Sequence, residues 1–337
     1  MKTTQSVIAM EVGVSQAMVS KVLNGETGKV SAETRHAIIK TARKLGYNRN
    51  VTEVRKCIGI LINSMEDLSR PSIYLLKQLS GIQNEAHARK LTPLTHLLGN
   101  VDELDVLSDQ VMGWIVLGPL SIDQIERLQQ SGPVVFLHYD DISGQCSRVQ
   151  EDNRTAVRQV IAALYEQGHR RFGYFNIRPM GITQAENYGA FMQALIELDL
   201  PIPPPEWIVT PHRQACTAAD VERLIRQYLG ELQQMARRPT ALFIAADIYA
   251  LPFLRLAPEY GFAIPRDFSV IGYDDISEAA LATPSLSSIA QPLAEMGQEA
   301  VARLDELINN PRLPPRGFEV RMTVKFRDSV GPAPTDN

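Results

Sequence analysis

A side-chain amide and an ammonium group stand five residues apart on one face of a short amphipathic segment near the N-terminus. Gln16 and Lys21 lie in the run SQAMVSKVL, with Ala17 beside them, while Val19 and Val22 fall on the opposite face at helical spacing. In the major groove of DNA, glutamine suits the edge of adenine and lysine suits that of guanine. The pair therefore predicts sequence-specific reading of double-stranded DNA.

The elements around this pair have the spacing of a helix-turn-helix. Apolar residues from Val7 to Val12 mark a first helix, and Gly13 supplies the left-handed backbone that ends it. Ser15 is placed as the N-cap of the second helix, and Ser31 caps a third. We predict an all-α head within the first fifty residues, whose second helix lies in the major groove.

The charge distribution supports a phosphate-seeking head. Residues 1–57 carry ten Lys and Arg against four Glu, a net charge of +6, although the whole chain has a formal charge of −4. The remainder is left with 24 basic and 34 acidic residues, or −10. A small basic module on an acidic body is typical of nucleic-acid binding.

At these residues the sequence resembles the LacI/GalR (lactose repressor) family of bacterial transcription regulators. The head carries GVS at Gly13, AMVS at Ala17, VLN at Val22, VSAETR at Val30 and LGY at Leu45. The resemblance continues through the body, in IGILI (from Ile58), MGWIVLG (Met112), EQGHRRFGYF (Glu166), IPRDFSVIGYDD (Ile264), TPSLSSIAQPLAEMG (Thr283) and FRDS (Phe326). It implies a regulator, in the main a repressor, that is a cytoplasmic homodimer on a palindromic operator.

The head residues expected at DNA fall into two groups. Gln16, Ala17 and Lys21 would discriminate bases, and the others would position the head, mainly on phosphates. The full set is Ser15, Gln16, Ala17, Ser20, Lys21, Asn24, Ser31, Thr34, Tyr47, Asn50 and Arg55.

Beyond Cys57, short apolar runs alternate with longer amphipathic segments, which predicts an α/β body with parallel, doubly wound sheets. The expected strands are 58–63, 94–98, 114–117, 134–139, 172–175, 241–245 and 269–273, and the expected helices include 154–167, 184–198 and 218–235. Such sheets bind ligands at the carboxyl ends of their strands. The resemblance implies a periplasmic-binding-protein-like body whose two lobes close on a small molecule.

The family topology divides the chain as follows. Residues 1–47 form the head, 48–57 a short linker, 58–330 the two-lobed effector-binding and dimerisation domain, and 331–337 a tail. Lobe 1 would comprise about 58–151 plus 291–317, and lobe 2 about 152–290 plus 318–330.

The expected effector pocket departs from the pattern of sugar-binding members. Where they have an acidic residue, this chain has His138, followed by Tyr139; where they have arginine it has Asn187, and Ala246 replaces the Asn before Asp247. Asp274 remains. With Asn63 and Gln291 these residues form the candidate pocket, and we expect an effector unlike a simple neutral sugar, or no effector function. The chemistry of His138 would allow a pH response, although a hydrogen-bonded structural histidine is the alternative.

The linker is also unusual. Only ten residues, NRNVTEVRKC, separate Tyr47 from Ile58, about six fewer than the family commonly has, and no Leu is present to wedge into the minor groove. We expect a shortened hinge that contacts phosphates through Arg49, Arg55 and Lys56 without intercalation.

Other functional classes receive little support. The chain lacks G-x-G-x-x-G, P-loop, G-x-S-x-G and H-E-x-x-H motifs, and its three cysteines have no metal-ligand spacing. We expect no enzyme activity, cofactor or metal, and no membrane association, since neither a signal-peptide h-region nor a long apolar run occurs. A small-molecule binding protein, or an α/β enzyme without specific DNA reading, is the alternative.

Overall fold

The computed structural model of this 337-residue chain describes residues 4–23, 30–45, 47, 57–63, 72–97, 111–139, 141–177, 182–210 and 218–335. Within these ranges the chain forms a three-helix head and a body built on two six-stranded sheets. The predicted fold class, an all-α head with an α/β body, is confirmed.

The head consists of α1 (Gln5–Val12), α2 (Gln16–Leu23) and α3 (Ala32–Lys44). Its small core is made by one apolar face of each helix, and no side chain in it is more than 8% exposed; the residues are Ile8, Ala9, Val19, Val22, Ile38 and Ala42. Because these residues recur at helical spacing, burying them leaves the opposite faces free.

The body alternates strands with helices. Its strands are β1 (Cys57–Ile62), β2 (Thr92–Leu97), β3 (Trp114–Leu117), β4 (Val134–Leu137), β5 (Ser147–Glu151), β6 (Phe172–Phe175), β7 (Ile208–Val209), β8 (Ala241–Ile244), β9 (Ser269–Asp274), β10 (Ser287–Ala290), β11 (Gly317–Val320) and β12 (Thr323–Lys325). Its helices are α4 (Ser72–Ala88), α5 (Ile122–Ser131), α6 (Asn153–Glu166), α7 (Ile182–Glu197), α8 (Ala218–Gln234), α9 (Asp247–Leu256), α10 (Ser277–Leu281) and α11 (Leu293–Asn309), with 3₁₀ turns at Pro205–Trp207 and Ala257–Tyr260.

Both sheets are doubly wound. The first has the order β11-β5-β4-β3-β1-β2 and is entirely parallel. The second has the order β12-β10-β9-β8-β6-β7. It is parallel except at one edge, where β12 runs antiparallel to β10. The central strands read as continuous apolar runs, as in β1 (CIGILI), since helices cover both of their faces.

The chain passes between the sheets three times. Glu151 ends β5 and the chain enters α6, which packs on α7 and on β12 in the second lobe. After Ala290 it returns to α11, which packs on α4 and the first sheet. We expected the last crossing near Phe318. Because β11 still pairs with β5 up to Val320, the chain crosses after Val320 instead.

Candidate DNA-binding surface and interlobe cleft

The turn between α1 and α2 produces the geometry of a helix-turn-helix. The two helices meet at an angle of 110°, within the usual range for this motif. Gly13 lies at the C-terminus of α1 with φ of 76°, a left-handed conformation that glycine adopts without strain. The next amide, of Val14, donates to the carbonyl oxygen of Ala9 at 3.0 Å and so closes the turn.

The second helix presents its polar face to solvent. The backbone amide of Met18 donates to Oγ of Ser15 at 3.2 Å, so Ser15 is the N-cap that its position predicts. Val19 is completely buried, whereas Gln16 and Lys21 are exposed. Ala17 is exposed as well, and Ser20 is half-buried. An amide and an ammonium group are therefore available on the free face of a capped helix.

The residues expected to position the head have mixed surroundings. Ser31 is exposed and caps α3, since the Thr34 amide donates to its Oγ at 3.2 Å. Oγ of Ser31 in turn donates to Oγ1 of Thr34 at 2.8 Å. Tyr47 is half-buried against the head core. Asn24, Asn50 and Arg55, with the linker residues Arg49 and Lys56, lie outside the described residues.

We use "cleft" for the adjacent carboxyl edges of the two sheets. In the first lobe, the strand order reverses between β1 and β3, which is where doubly wound sheets bind ligands. Asn63 follows β1 and its Nδ2 donates to the carbonyl oxygen of Pro119 at 2.5 Å. Gly118, with φ of 117°, makes room for this approach: a Cβ there would lie 2.5 Å from the carbonyl oxygen of Asn63.

His138 lies at the end of β4 in the left-handed region, with φ of 68°. Its Nδ1 is 2.7 Å from Oε1 of Glu151, and its Nε2 contacts the side-chain amide of Gln78. All three side chains are buried. Both ring nitrogens of His138 thus contact residues of the first lobe. This arrangement is that of a hydrogen-bonded structural histidine, the alternative to a pH-responsive one. Tyr139, the next residue, is half-buried beside the apolar core.

The second lobe contributes a fully buried carboxyl group, that of Asp247. Oγ of Ser288 donates to its Oδ1 at 2.7 Å and the Ile276 amide donates to its Oδ2 at 3.0 Å. Gly272 leaves the space for it, since a Cβ there would lie 2.0 Å from Oδ1 of Asp247. Burial, reinforced by the nearby charge of Asp274, raises the pKa of Asp247 to about 8. This carboxyl is therefore largely protonated at neutral pH.

Asp274 and Asp275 have different partners. Nε2 of Gln291 donates to Oδ1 of Asp274 at 2.6 Å. Asp275 accepts from Lys325 and from Arg327, each at 2.6 Å. Burial alone would raise the pKa of Asp275, but these two cations outweigh it and lower that pKa. Asp275 is therefore part of a structural ion-pair cluster, and Asp274 is directed to the crossing segment.

Asn187, at the position of the family's arginine, is only 3% exposed. It lies near the N-terminal end of α7, which follows β6 and therefore begins at the carboxyl edge of the second sheet. Within the described part of the chain, no hydrogen-bond donor reaches its Oδ1 or Oε1 of Gln291. Both oxygens are buried acceptors, which proteins rarely leave unpaired.

Sequence reasoning missed Gln78, Glu151 and Glu186. Burial raises the pKa of Glu186, on α7, and the charge of Glu151 raises it further, whereas Arg148 and His138 oppose the shift. These interactions place a carboxyl group of the second lobe close to the His138–Glu151 pair of the first. An isolated Glu in a polar run gives no sequence signal, because only the fold brings it to the cleft.

The described residues contain no group of three or more His, Cys, Asp or Glu arranged to hold a metal ion. In the same ranges, no single helix is long and apolar enough to cross a membrane. Cys57 and Cys146 are free thiols, and burial raises the pKa of Cys146 to about 12, so it is unreactive.

The head and body together define a class of protein, a helix-turn-helix DNA-binding module joined to a two-lobed ligand-binding fold. Comparison with known families agrees in both parts. Residues 7–50 match the model of bacterial regulatory proteins of the lacI family, and residues 161–330 match that of the periplasmic binding protein-like domain. The chain joins a DNA-binding domain of the lacI family of bacterial regulatory proteins to a periplasmic binding protein-like domain.

Known relatives are similar over nearly the whole chain. The HTH-type transcriptional regulator MalR of Streptomyces coelicolor is 29% identical, covering 99% of this chain and 98% of its own. The HTH-type transcriptional repressor PurR of Pectobacterium carotovorum is 28% identical, covering 97% and 96%. The lac repressor dimer bound to operator and the anti-inducer ONPF has a TM-score of 0.66 at 21% identity over 98% of this chain and 99% of its own, which supports the fold. The named relatives are regulators and not enzymes.

Proposed function

We propose that this protein is a repressor that binds a palindromic operator as a homodimer and responds to a small molecule in the cleft. The observation that carries the proposal is the exposed pair Gln16 and Lys21 on the free face of a capped second helix. An amide and an ammonium group there can donate to base edges in the major groove, while Ser15, Ser31, Thr34 and Tyr47 position the head on phosphates. The site of action is the cytoplasm, where the DNA is.

Exposed leucines on the body support the homodimer. Leu76 on α4 is 58% exposed and Leu97, at the end of the edge strand β2, is 59% exposed. Leu281, at the end of α10 in the second lobe, is 81% exposed. A second copy that covered these side chains would bury their apolar surface and would present two heads to two half-sites.

The cleft is proposed as the effector site because polar side chains of each lobe lie at or beyond the carboxyl ends of its strands. The residues are Asn63, His138, Tyr139, Asn187, Asp247, Asp274 and Gln291. An effector would act through its different affinities for the open and closed arrangements of the lobes. The loss of the arginine and of the acidic residue, replaced by Asn187 and His138, makes a simple neutral sugar a poor fit.

The domain division 1–47, 48–57, 58–330 and 331–337 remains our proposal for the functional units. The linker that separates head from body is short and lacks a leucine wedge. We expect it to bind DNA without kinking the central base step, which a structure on operator DNA would test.

The decisive experiment is selection of binding sites from random duplex DNA with the full-length protein. We expect an inverted repeat in which Gln16→Ala and Lys21→Ala each relax the base preference at one position of the half-site. Lys77→Ala, at an exposed lysine of the body, should leave the repeat unchanged. Enrichment of a single half-site would contradict the dimer. Failure to enrich any sequence, together with binding that does not weaken with salt, would contradict DNA reading and favour a free ligand-binding protein.

A further inference from the structure

Two buried amide oxygens at the cleft lack hydrogen-bond donors in the described structure. Oδ1 of Asn187 belongs to a side chain that is 97% buried, and Oε1 of Gln291 is equally inaccessible although its residue is half-buried. An unpaired buried acceptor destabilises a folded protein, so its persistence points to a partner that arrives later. That partner must donate hydrogen bonds.

The two amides lie on different elements of the same edge. Asn187 is in the second turn of α7, on the helix face that continues through Ala190, Phe191 and Ala194 into the core over the sheet. Gln291 follows β10, where the chain leaves the second sheet for the first lobe. Both elements therefore begin at the carboxyl edge of the second sheet, separated by β8 and β9.

Several side-chain donors at this edge already donate hydrogen bonds to other residues of the protein. Nδ2 of Asn63 donates to Pro119, Nε2 of Gln291 donates to Asp274, and the His138 ring is held between Glu151 and Gln78. The hydroxyl of Tyr174 also lacks a partner, and it is fully buried among aromatic rings. The described residues of the cleft therefore present hydrogen-bond acceptors to a ligand.

Among the described residues at this edge, carboxyl groups outnumber cations, and Arg148 and His138 are the positive groups that act on Glu186. Asp247 and Asp274 interact in the second lobe, and Glu186 interacts with Glu151 across the lobes. The nearby cations Lys325 and Arg327 bind Asp275, and Arg154 binds Glu197. Burial raises the pKa of both Asp247 and Glu186. The charge of Asp274 adds to the shift of Asp247 and that of Glu151 to the shift of Glu186, and a bound cation would oppose both shifts.

We infer that the effector is an organic amine whose ammonium or amino N–H groups donate to the amide oxygens of Asn187 and Gln291, and that anionic effectors are excluded. This inference rests on the proposed function, because it takes the cleft as the effector site. An anion would place acceptors against acceptors, whereas a neutral polyol would bring no positive charge to Asp274.

The test is thermal stabilisation of the full-length protein by matched sets of probes that differ in one substituent. The sets are glucosamine, glucose and glucuronate, and putrescine, butane-1,4-diol and succinate. We expect at least one amine to raise the melting temperature by several degrees, with smaller shifts for its alcohol and none for its anion. Asn187→Leu should abolish the shift, while Asn84→Leu, which changes an exposed amide of the first lobe, should retain it.

Asn187→Arg provides a second readout that does not depend on a loss of binding. Because the guanidinium donates to carboxylates, this variant should shift the preference from the amine to the anion of the same set. Stabilisation only by anions or alcohols, or by neither amine, would overturn the inference. Operator binding is measured separately by fluorescence anisotropy. A protein that binds its selected site but is not stabilised by either amine would refute this inference and leave the proposed function intact.

Discussion

The side-chain amide of Gln291 donates to the carboxylate of Asp274 at 2.6 Å, joining the chain segment that crosses between the lobes to the end of a central strand. Any molecule that binds Asp274 competes with this bond. Since Gln291 lies between β10 and α11, such competition acts directly on the connection between the lobes.

The first prediction concerns base reading by α2. Lys21→Ala should lower discrimination at one base pair of each half-site by about fivefold to 150-fold, because one specific base contact contributes about 1–3 kcal/mol. Competition binding with single-base operator variants measures this. Lys77→Ala is the control, and an equal loss of affinity for every sequence would instead assign Lys21 to the phosphates.

The second prediction concerns the exposed leucines. Leu281→Glu should convert the proposed homodimer to a monomer, since it would remove about 1.5–3 kcal/mol of apolar burial per protomer and place a charge in the proposed interface. Sedimentation velocity measures the change. Ile202→Glu, at another exposed apolar residue of the second lobe, should remain dimeric; an unchanged Leu281→Glu dimer would exclude this face.

The third prediction is a pair of pH effects with opposite sign. The pKa of Asp247 is raised to about 8, so the folded protein holds a proton that the unfolded chain releases near pH 4. This group therefore reduces stability progressively as the pH rises between these values. Asp247→Asn, which can still bond Ser288 and Ile276, should equal the wild type near pH 4 and exceed it in melting temperature near pH 9.

Asp275→Asn is the matched contrast. The pKa of Asp275 is lowered, so its ion pairs with Lys325 and Arg327 stabilise the protein above the unfolded pKa and are lost as the pH falls through the folded pKa. The variant should be destabilised at neutral pH and much less so in acid. The same pH profile for both variants would refute the assignment.

The fourth prediction concerns the buried histidine His169, which bonds Thr240 and the carbonyl oxygen of Gly331, each at 3.0 Å. Burial lowers its pKa, so the unfolded chain takes up the proton at a higher pH than the folded chain does. The free energy of unfolding should consequently fall below about pH 6.5. His169→Gln should flatten this decline, at a cost of about 1–3 kcal/mol at neutral pH, in urea denaturation.

His87→Gln, which changes an exposed histidine of α4, is the control for acid sensitivity and should retain the wild-type profile. If His169→Gln retained the same decline as well, the acid sensitivity would have to arise elsewhere.

The fifth prediction concerns Arg303, whose side chain is 1% exposed. It donates to Oγ of Ser147 at 3.1 Å and to the carbonyl oxygen of Pro314 at 2.5 Å, so it connects α11 with β5 and with the segment before β11. Arg303→Met removes both bonds, leaving Oγ of Ser147 with only the Arg316 amide as donor, and should cost about 3 kcal/mol in urea denaturation. Arg312→Met, at an exposed arginine, should cost almost nothing; similar losses for both would refute the connection.

The elements with a strong periodic signal could be predicted from sequence. Trp114–Leu117 and Phe172–Phe175 have the predicted bounds, and Ala218–Gln234 differs by one residue, because each is a continuous apolar run or an amphipathic repeat. The turn at Gly13 and the caps at Ser15 and Ser31 were predictable for the same local reason.

Strands with polar sequences were missed. Ser147–Glu151 (SRVQE) and Ser287–Ala290 (SSIA) have little apolar periodicity, yet both pair within parallel sheets, as does Gly317–Val320. Neighbouring strands and the covering helices determine these elements. The antiparallel Thr323–Lys325 was missed because three residues carry no period.

The sequence by itself determined the head, the alternation of the body and the family, because these depend on interactions between residues near one another in the chain. Tertiary structure decided the chemistry of the cleft. The contact of Gln78 with His138 joins residues 60 positions apart, and the protonated carboxyl of Asp247 depends on burial beneath Gly272 and Ser288. Hydrogen bonding and desolvation of this kind act between residues that only the folded chain brings together.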